Sequence, residues 1–180
     1  MKITFVTGNE GKQAEVSAML PGQVIQRDMG YPEIQADTLQ DVARYGLNWL
    51  RSRIDGPFML EDAGLFIEEL QGFPGVYSSY VYRTIGNQGI LRLLEDADLR
   101  DAVFRSVIGL DDGEIHFFIG ECHGSIAREM RGKHGFGYDP IFMPAGSQQT
   151  FAEMAPAEKN RYSHRGSAVK KLAAYLEMLL

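Results

Sequence analysis

The sequence is poor in cysteine and has no apolar run of membrane-spanning length. Cys122 is the single cysteine among 180 residues, so no internal disulfide can form. No run of about eighteen uncharged apolar residues occurs, which excludes a membrane-spanning helix. The first residues lack the long apolar stretch and the small-residue cleavage site of a secretion signal. We therefore expect a cytoplasmic protein without a membrane partner.

Internal repeats and low-complexity segments are also absent, which excludes a repeat architecture and a disordered chain. Hydrophobic residues make up 44% of the sequence and charged residues 23%, an ordinary balance for a globular protein. The length is close to that of one typical domain. We expect a single domain over residues 1–180, formed of two lobes that share a core.

Positive charge is scarce in most of the chain. The net charge is -6 and the isoelectric point is about 5.2, which argues against a general nucleic-acid partner. Residues 1–125 hold ten Lys and Arg against nineteen Asp and Glu, whereas residues 126–180 hold eight against five. This asymmetry suits a site that binds a metal on one side and an anion on the other, although chance clustering on the surface gives the same pattern.

Segments with strand-like and helix-like periodicity alternate along the chain. Asp111-Asp112-Gly113 is typical of a hairpin turn. The pattern predicts an α/β protein with a mixed β-sheet. The predicted strands are Lys2–Val6, Val24–Arg27, Phe58–Leu60, Leu65–Leu70 after a turn, Val103–Leu110 and Ile115–Ile119 with a possible extension to Ile126; the predicted helices are Glu10–Leu20, Leu39–Leu50, Ser78–Thr84, Gln88–Leu94 and one that Ser163 caps.

A polar turn, Thr7-Gly8-Asn9-Glu10-Gly11-Lys12, joins the first predicted strand to the first predicted helix. The N-terminus of a helix offers unpaired backbone N–H groups and the positive end of its dipole, which attract phosphate. Lys12 adds a mobile positive charge within the first turn of that helix. The spacing is neither that of a P-loop nor that of a dinucleotide-binding loop. An ordinary capped helix gives the same pattern.

A pair of acids, Glu61-Asp62, follows the predicted strand Phe58–Leu60 and precedes more apolar residues. A charge without a function is costly in such surroundings. Both acids together, or one of them with Glu33 or Asp41, have the oxygen ligands that Mg²⁺ prefers. A solvated turn is the alternative interpretation.

Two later segments complete the candidate chemistry. In His134–Pro140, Phe136 lies between two glycines and has little to pack on locally, which favours stacking on a planar base. In Lys159–Arg165, several donors lie near a predicted helix start and favour a polyanion. A tight core loop and a basic surface turn, respectively, are the alternatives. Taken jointly, the four segments have the components of a nucleotide site.

The same segments, in the same order, resemble the inosine triphosphate pyrophosphatase family, and the archaeal and eukaryotic members most of all. The resemblance runs from about residue 3 to residue 173. It rests on five motifs: Thr7-Gly8-Asn9 with Lys12, Glu61-Asp62-Ala63-Gly64-Leu65, Gly72-Phe73-Pro74-Gly75, Phe136-Gly137-Tyr138-Asp139-Pro140, and Ala152-Glu153-Met154 followed by Lys159-Asn160 and Ser163-His164-Arg165.

The resemblance implies a hydrolase of nucleotide metabolism that splits XTP, ITP and dITP between the α and β phosphates. The products are the nucleoside monophosphate and pyrophosphate. It also implies dependence on Mg²⁺, an elongated α/β fold of two lobes around a central nucleotide-binding cleft, and a homodimer.

The resemblance also implies the site residues. It implies that Asp62 is the catalytic proton acceptor and that Asp62 and Glu33 are metal ligands. The expected substrate-binding residues are Thr7, Gly8, Asn9, Glu10, Gly11, Lys12, Ala63, Phe136, Gly137, Tyr138, Asp139, Lys159, His164 and Arg165. Ala63 replaces a serine that is common in the family, and Asp41 remains the alternative to Glu33 as the second metal ligand.

Two other functions are compatible with these residues. One is a nucleotide pyrophosphatase for other modified nucleotides. The other is a nucleotide-binding protein without catalytic activity, which would not need the acids Glu33 and Asp62.

Overall fold

The computed structural model describes residues 2–32 and 34–179. Six strands form one sheet, with helices packed beside it. The strands are β1 (Ile3–Val6), β2 (Val24–Arg27), β3 (Phe58–Ile67), β4 (Asp101–Asp111), β5 (Ile115–Ile126) and β6 (Phe142–Pro144). The helices are α1 (Glu10–Met19), α2 (Leu39–Leu50), α3 (Ser78–Thr84), α4 (Gly86–Leu93), α5 (Pro156–Tyr162) and α6 (His164–Met178), and a 3₁₀ turn covers Gly75–Tyr77.

The sheet is mixed, and its strand order is β2-β1-β3-β4-β5-β6. Strand β1 pairs in parallel with β2, where Ile3 lies opposite Val24, and with β3, where Thr4 lies opposite Phe58. Strand β6 pairs antiparallel with β5. A short turn joins β4 to β5, as the residues Asp111-Asp112-Gly113 predict. The predicted α/β fold with a mixed sheet is confirmed.

Helix starts follow from side-chain caps that the sequence contains. The side chain of Asn9 accepts a hydrogen bond from the backbone N–H of Lys12, and α1 begins at Glu10. The side chain of Thr38 does the same for Asp41, and α2 begins at Leu39. Each cap satisfies a backbone N–H that has no partner within its helix. Both helices lie where the sequence predicts them.

Three elements differ from the prediction. Strand β3 continues without a break from Phe58 to Ile67, so the pair Glu61-Asp62 lies within a strand and not after its end. Strand β6 and helix α5 were not predicted. Three residues are too few to show a period. The seven-residue helix α5 has only one buried residue, so it has no apolar stripe to reveal it.

Contacts divide the chain into two compact units. The first unit comprises Met1–Asp62, Ser106–Gly120 and Arg165–Leu180, and the second comprises Ala63–Arg105 and Glu121–His164. The core of the first unit is aliphatic and aromatic, built around Phe5, Met59 and Leu172. The core of the second is built around Leu65, Phe142 and Phe151. Each unit thus has buried apolar residues of its own.

The helices have between seven and fifteen residues. Among residues 2–32 and 34–179, none of them has the length and apolar character that crossing a bilayer requires.

Candidate functional site

In the first unit, the polar turn at residues 7–9 carries the start of α1. The Thr7 backbone N–H donates to the carbonyl of Arg27 at 3.0 Å, which ties the turn to the end of β2. The Thr7 hydroxyl accepts from the Asn9 N–H at 3.1 Å. Gly8 and Asn9 are exposed. The turn therefore presents backbone and short polar side chains to solvent at the positive end of a helix, as a phosphate site requires.

The remaining residues of the predicted phosphate segment belong to the first turn of α1. Glu10 is exposed and Gly11 is half-buried. The backbone N–H of Lys12 donates to Asn9 Oδ1 at 3.0 Å. Its side chain is held as well: the ammonium donates to the Glu61 carbonyl oxygen at 2.9 Å and lies 2.8 Å from Glu61 Oε2. Lys12 is thus fixed against β3.

Glu61 is buried, with 4% of its surface exposed. The Ser106 hydroxyl on β4 donates to its Oε1 at 2.6 Å, and Nη2 of Arg165 lies 3.2 Å from the same oxygen. Burial by itself would raise the pKa of the Glu61 carboxyl, but the positive charges of Arg165 and Lys12 outweigh it and hold that pKa well below its usual range. Glu61 is therefore ionised and shared by two cations.

Arg165 lies at the start of α6 and is also buried, with 3% of its surface exposed. Its Nη1 donates to Glu15 Oε2 on α1 at 2.5 Å. Burial alone would lower the pKa of the guanidinium, and the carboxylates of Glu61 and Glu15 instead raise it. The structure thus places Arg165 beside Glu61, in the same group of side chains as Lys12. Its expected contact with a base stays a prediction.

Asp62 and Ala63 are the half-buried neighbours of Glu61 on β3. Within residues 2–32 and 34–179, no three His, Cys, Asp or Glu side chains form a group that could hold a metal by themselves. Glu33, the predicted second ligand, lies outside the described residues. Asp41, its alternative, is exposed, and its carboxylate accepts a 2.6 Å hydrogen bond from the Thr38 hydroxyl at the start of α2.

The donor chemistry nevertheless fits Mg²⁺. This ion is commonly bound by one or two carboxylates, with water and substrate phosphates as its other ligands, and does not need an all-protein cage. Asp62 supplies one carboxylate, and it follows Glu61, the residue that anchors Lys12, along β3. The arrangement suits an ion that the protein and a phosphate bind jointly.

In the second unit, Asp139 organises the aromatic loop. Its Oδ2 accepts from the Phe136 backbone N–H at 2.8 Å and lies 2.5 Å from the ammonium of Lys159 on α5. Asp139 and Lys159 are both buried. The ammonium lies 4.9 Å from the centre of the Phe136 ring, which is within cation–π range. Phe136 is half-buried, so part of its ring remains accessible.

The turn that carries Phe136 requires glycine. Gly135 has a φ of +73°, and a Cβ there would lie 2.0 Å from Asp139 Oδ2. The carbonyl of Gly137, the next glycine, accepts from the Asn87 side chain at 3.0 Å. The sequence thus brings the loop close around one carboxylate, at a position where no side chain fits.

Two other predicted site residues of the second unit, Tyr138 in this loop and His164 at the start of α6, have buried side chains. The Tyr138 hydroxyl donates to the Ser78 carbonyl at 2.8 Å, and burial raises the pKa of that hydroxyl. The His164 ring stacks on Phe104, with ring centres 4.5 Å apart and planes 9° from parallel. The Tyr138 contact holds the loop, and His164 contacts Phe104 on β4.

Several residues of these groups were not predicted as site residues. The sequence motifs indicate Glu61 only as part of an acid pair, and they do not indicate Ser106, Glu15 or Asn87. One signal in the sequence did point to Glu61: it follows Met59 at the two-residue period of a strand and so faces the same side as a core residue. The partners that neutralise it are distant in sequence.

Comparisons with known proteins identify a family, curated relatives and solved structures that this chain resembles. A model of the Ham1 family matches residues 3–175. The chain is 56% identical to the dITP/XTP pyrophosphatase of Thermococcus kodakarensis, over 98% of both chains. It is 54% identical to the dITP/XTP pyrophosphatase of Pyrococcus horikoshii, over 100% of this chain and 99% of that one. A solved HAM1 protein from Coxiella burnetii superposes with a TM-score of 0.86 at 33% identity, covering 99% of each chain.

Proposed function

The chain belongs to the Ham1 family, and we propose from this membership that it hydrolyses the non-standard purine triphosphates XTP, ITP and dITP. The products are the nucleoside monophosphate and pyrophosphate, so the protein is a nucleoside-triphosphate diphosphatase that acts on the nucleotide pool. The observation that carries the proposal is the 56% identity, over nearly the whole length, to a relative named dITP/XTP pyrophosphatase.

The first group of side chains suits the triphosphate. The turn at Thr7, Gly8 and Asn9 and the first turn of α1, with Glu10 and Gly11, offer backbone N–H groups at a helix N-terminus. Lys12 adds a positive charge whose position β3 fixes. These residues offset the negative charge of the phosphates, which otherwise repels an incoming nucleophile.

Asp62, with Glu33, would hold Mg²⁺ jointly with the phosphates. When bound, this ion neutralises phosphate oxygens and makes the attacking water more acidic. Asp62 accepts the proton of that water as the water oxygen bonds to the α-phosphorus. The bond from that phosphorus to the oxygen bridging the α and β phosphates breaks, and pyrophosphate leaves with the electron pair, its charge offset by Lys12.

The second group suits a planar base. The accessible part of the Phe136 ring offers a stacking surface, and Gly137, Tyr138 and Asp139 hold it in place. Lys159 contacts the same loop through Asp139 and the Phe136 ring, and His164 stays a predicted substrate-binding residue. Selection among bases would rest on position six, where xanthine and hypoxanthine have a carbonyl and adenine has an amino group that would place donor against donor. Arg165 stays only a predicted donor to this position, because both of its Nη groups already contact the carboxylates of Glu15 and Glu61.

A substrate panel tests the proposal. We expect ITP and XTP to be hydrolysed in the presence of Mg²⁺ well ahead of ATP, since a mispaired buried polar group costs on the order of 1–3 kcal/mol per contact. Pyrophosphate and the monophosphate should appear in equal amounts, measured by ion-exchange chromatography. Release of inorganic phosphate, or equal rates for ITP, XTP, GTP and ATP, would refute the proposed activity or its selectivity.

We also propose a cytoplasmic homodimer, in which part of the second unit forms the contact surface. The segment 73–82 exposes four aromatic side chains: Phe73, Tyr77, Tyr80 and Tyr82, with Tyr80 63% accessible. Aromatic residues are enriched in protein interfaces, and a cluster of this kind is uncommon on a monomer.

Sedimentation velocity at micromolar concentration tests the dimer. The wild type should sediment at about twice the 20.1 kDa chain mass, and the double variant Tyr77→Ser/Tyr80→Ser should shift toward the monomer. Tyr45→Ser on α2, which changes a comparably exposed tyrosine in the first unit, is the matched control. A monomeric wild type, or a double variant that stays dimeric, contradicts the proposed surface.

A further inference from the structure

Both polar contacts of the Lys12 ammonium among the described residues go to one residue. Its Nζ donates to the Glu61 carbonyl oxygen at 2.9 Å and lies 2.8 Å from Oε2 of the same residue. A lysine side chain has a flexible stem of four methylene groups, so two contacts at its ammonium restrain it strongly. An ammonium has three N–H groups. Within residues 2–32 and 34–179, these contacts leave the third for a phosphate oxygen.

The Glu61 carboxylate is itself held by two residues besides Lys12, Ser106 and Arg165. Its Oε1 accepts from the hydroxyl of Ser106, which is fully buried on β4, at 2.6 Å. Nη2 of Arg165 lies 3.2 Å from that oxygen. The same Nη2 also donates to Oε2 at 3.4 Å, the oxygen that Lys12 contacts. Three side chains therefore hold the Glu61 carboxylate: Ser106 at Oε1, Lys12 at Oε2 and Arg165 at both oxygens.

Charge explains why an acid lies beside a candidate phosphate site. Lys12 and Arg165 are both positive, and Glu61 and Glu15 are both negative, so the four side chains balance. Without Glu61, two cations would remain close together with a single carboxylate, and each would repel the other. The negative charge of Glu61 thus keeps two cations at fixed places, which a phosphate alone cannot do before it binds.

We propose that Glu61 is a positioning residue: with Ser106 and Arg165 behind it, it holds the Lys12 ammonium where the triphosphate binds. This inference rests on the proposed function for the identity of the substrate. It assigns Glu61 no contact with the reacting atoms, and it assigns Ser106 a role through Glu61 alone.

A double-mutant cycle between Glu61 and Lys12 tests this role. We expect Glu61→Gln to lower kcat/KM for ITP by about tenfold or more, because a small misplacement of a catalytic group can cost up to about 10²-fold. In a Lys12→Ala background, Glu61→Gln should lower kcat/KM for ITP by less than about twofold, because the ammonium that Glu61 positions is gone. A structural defect alone would give the same loss in both backgrounds, and that result overturns the proposal.

Ser106→Ala provides a milder test that keeps the charge of Glu61. It should lower kcat/KM by about threefold, and this loss too should disappear in the Lys12→Ala background. If Glu61→Gln does not fold, the comparison of Ser106→Ala in the wild-type and Lys12→Ala backgrounds tests the positioning role instead. Asp111→Asn is the matched control. Asp111 is a buried acid of the same unit, bound to Arg51 at 2.6 Å, so its loss should reduce stability without reducing kcat/KM.

Binding of inorganic pyrophosphate separates this inference from the proposed function. Calorimetry on the same variants needs neither a base nor turnover. Weaker pyrophosphate binding in Glu61→Gln, with no further weakening in the Lys12→Ala background, supports the positioning role even if the wild type fails to hydrolyse ITP. Equal pyrophosphate affinity of the wild type and Glu61→Gln overturns it, whatever the hydrolysis assay shows.

Discussion

Replacing Asp62 by asparagine should reduce turnover of ITP by roughly 10² or more, because the carboxylate is both the proposed proton acceptor and a proposed Mg²⁺ ligand. An amide of the same shape accepts no proton from water and binds a divalent cation weakly. The half-buried side chain keeps its volume, so the fold of β3 should persist. The measurement is pyrophosphate release at saturating ITP and Mg²⁺.

Two further measurements make this result specific. Asp101→Asn changes an exposed acid at the start of β4 and should leave turnover unchanged. The Kd of the Asp62 variant for ITP, measured without Mg²⁺, should stay within a few-fold of the wild type, because the turn at Thr7–Asn9 and Lys12 are intact. Near-normal turnover of Asp62→Asn would remove Asp62 from the mechanism.

Truncating Asp139 should destabilise the second unit more than any surface change. The variant Asp139→Ala leaves the buried ammonium of Lys159 without its 2.5 Å partner and removes the acceptor of the Phe136 N–H. Breaking a buried ion pair from one side typically costs about 3–5 kcal/mol. We expect a loss of that size in the free energy of unfolding by urea. We also expect a higher KM for ITP, because the stacking ring is no longer held.

The same unit contains an exposed ion pair for comparison. Arg105 lies 2.8 Å from Glu121, and both side chains are about two-fifths exposed. Glu121→Ala should therefore lower the free energy of unfolding by no more than about 1 kcal/mol. Asp139→Asn, which can still accept from Phe136, should recover part of the loss. A cost for Asp139→Ala as small as that for Glu121→Ala would show that Asp139 does not organise the loop.

The sequence predicts much of the fold because the signals involved are local. Asn9 caps α1 through a residue three positions away, and the hairpin between β4 and β5 depends on one short turn. The break expected after Leu60 is wrong, since strand length depends on pairing with neighbouring strands. The residues Ala63 and Gly64 therefore continue β3 instead of ending it.

For the candidate site, the sequence predicts which residues are chemically active but not which residues they contact. Motifs in the sequence predict Lys12, Asp62, Phe136 and Lys159 as active. Lys12 was expected to be a mobile charge, but the structure fixes it on Glu61, 49 residues away in the chain. The start of α6 lies in the segment Lys159–Arg165, as the sequence predicts, but Lys159 itself is buried within α5 against Asp139.

The sequence by itself indicated the family, because five motifs occur in the family's order, and the class of substrate followed from that resemblance. It also predicted most of the helices and strands, because caps, turns and hydrophobic periods are local signals. The tertiary structure alone decided which cation meets which carboxylate. That pairing depends on where β3, β4 and α6 carry Glu61, Ser106 and Arg165, and a buried charge is stable only beside partners that the packing supplies.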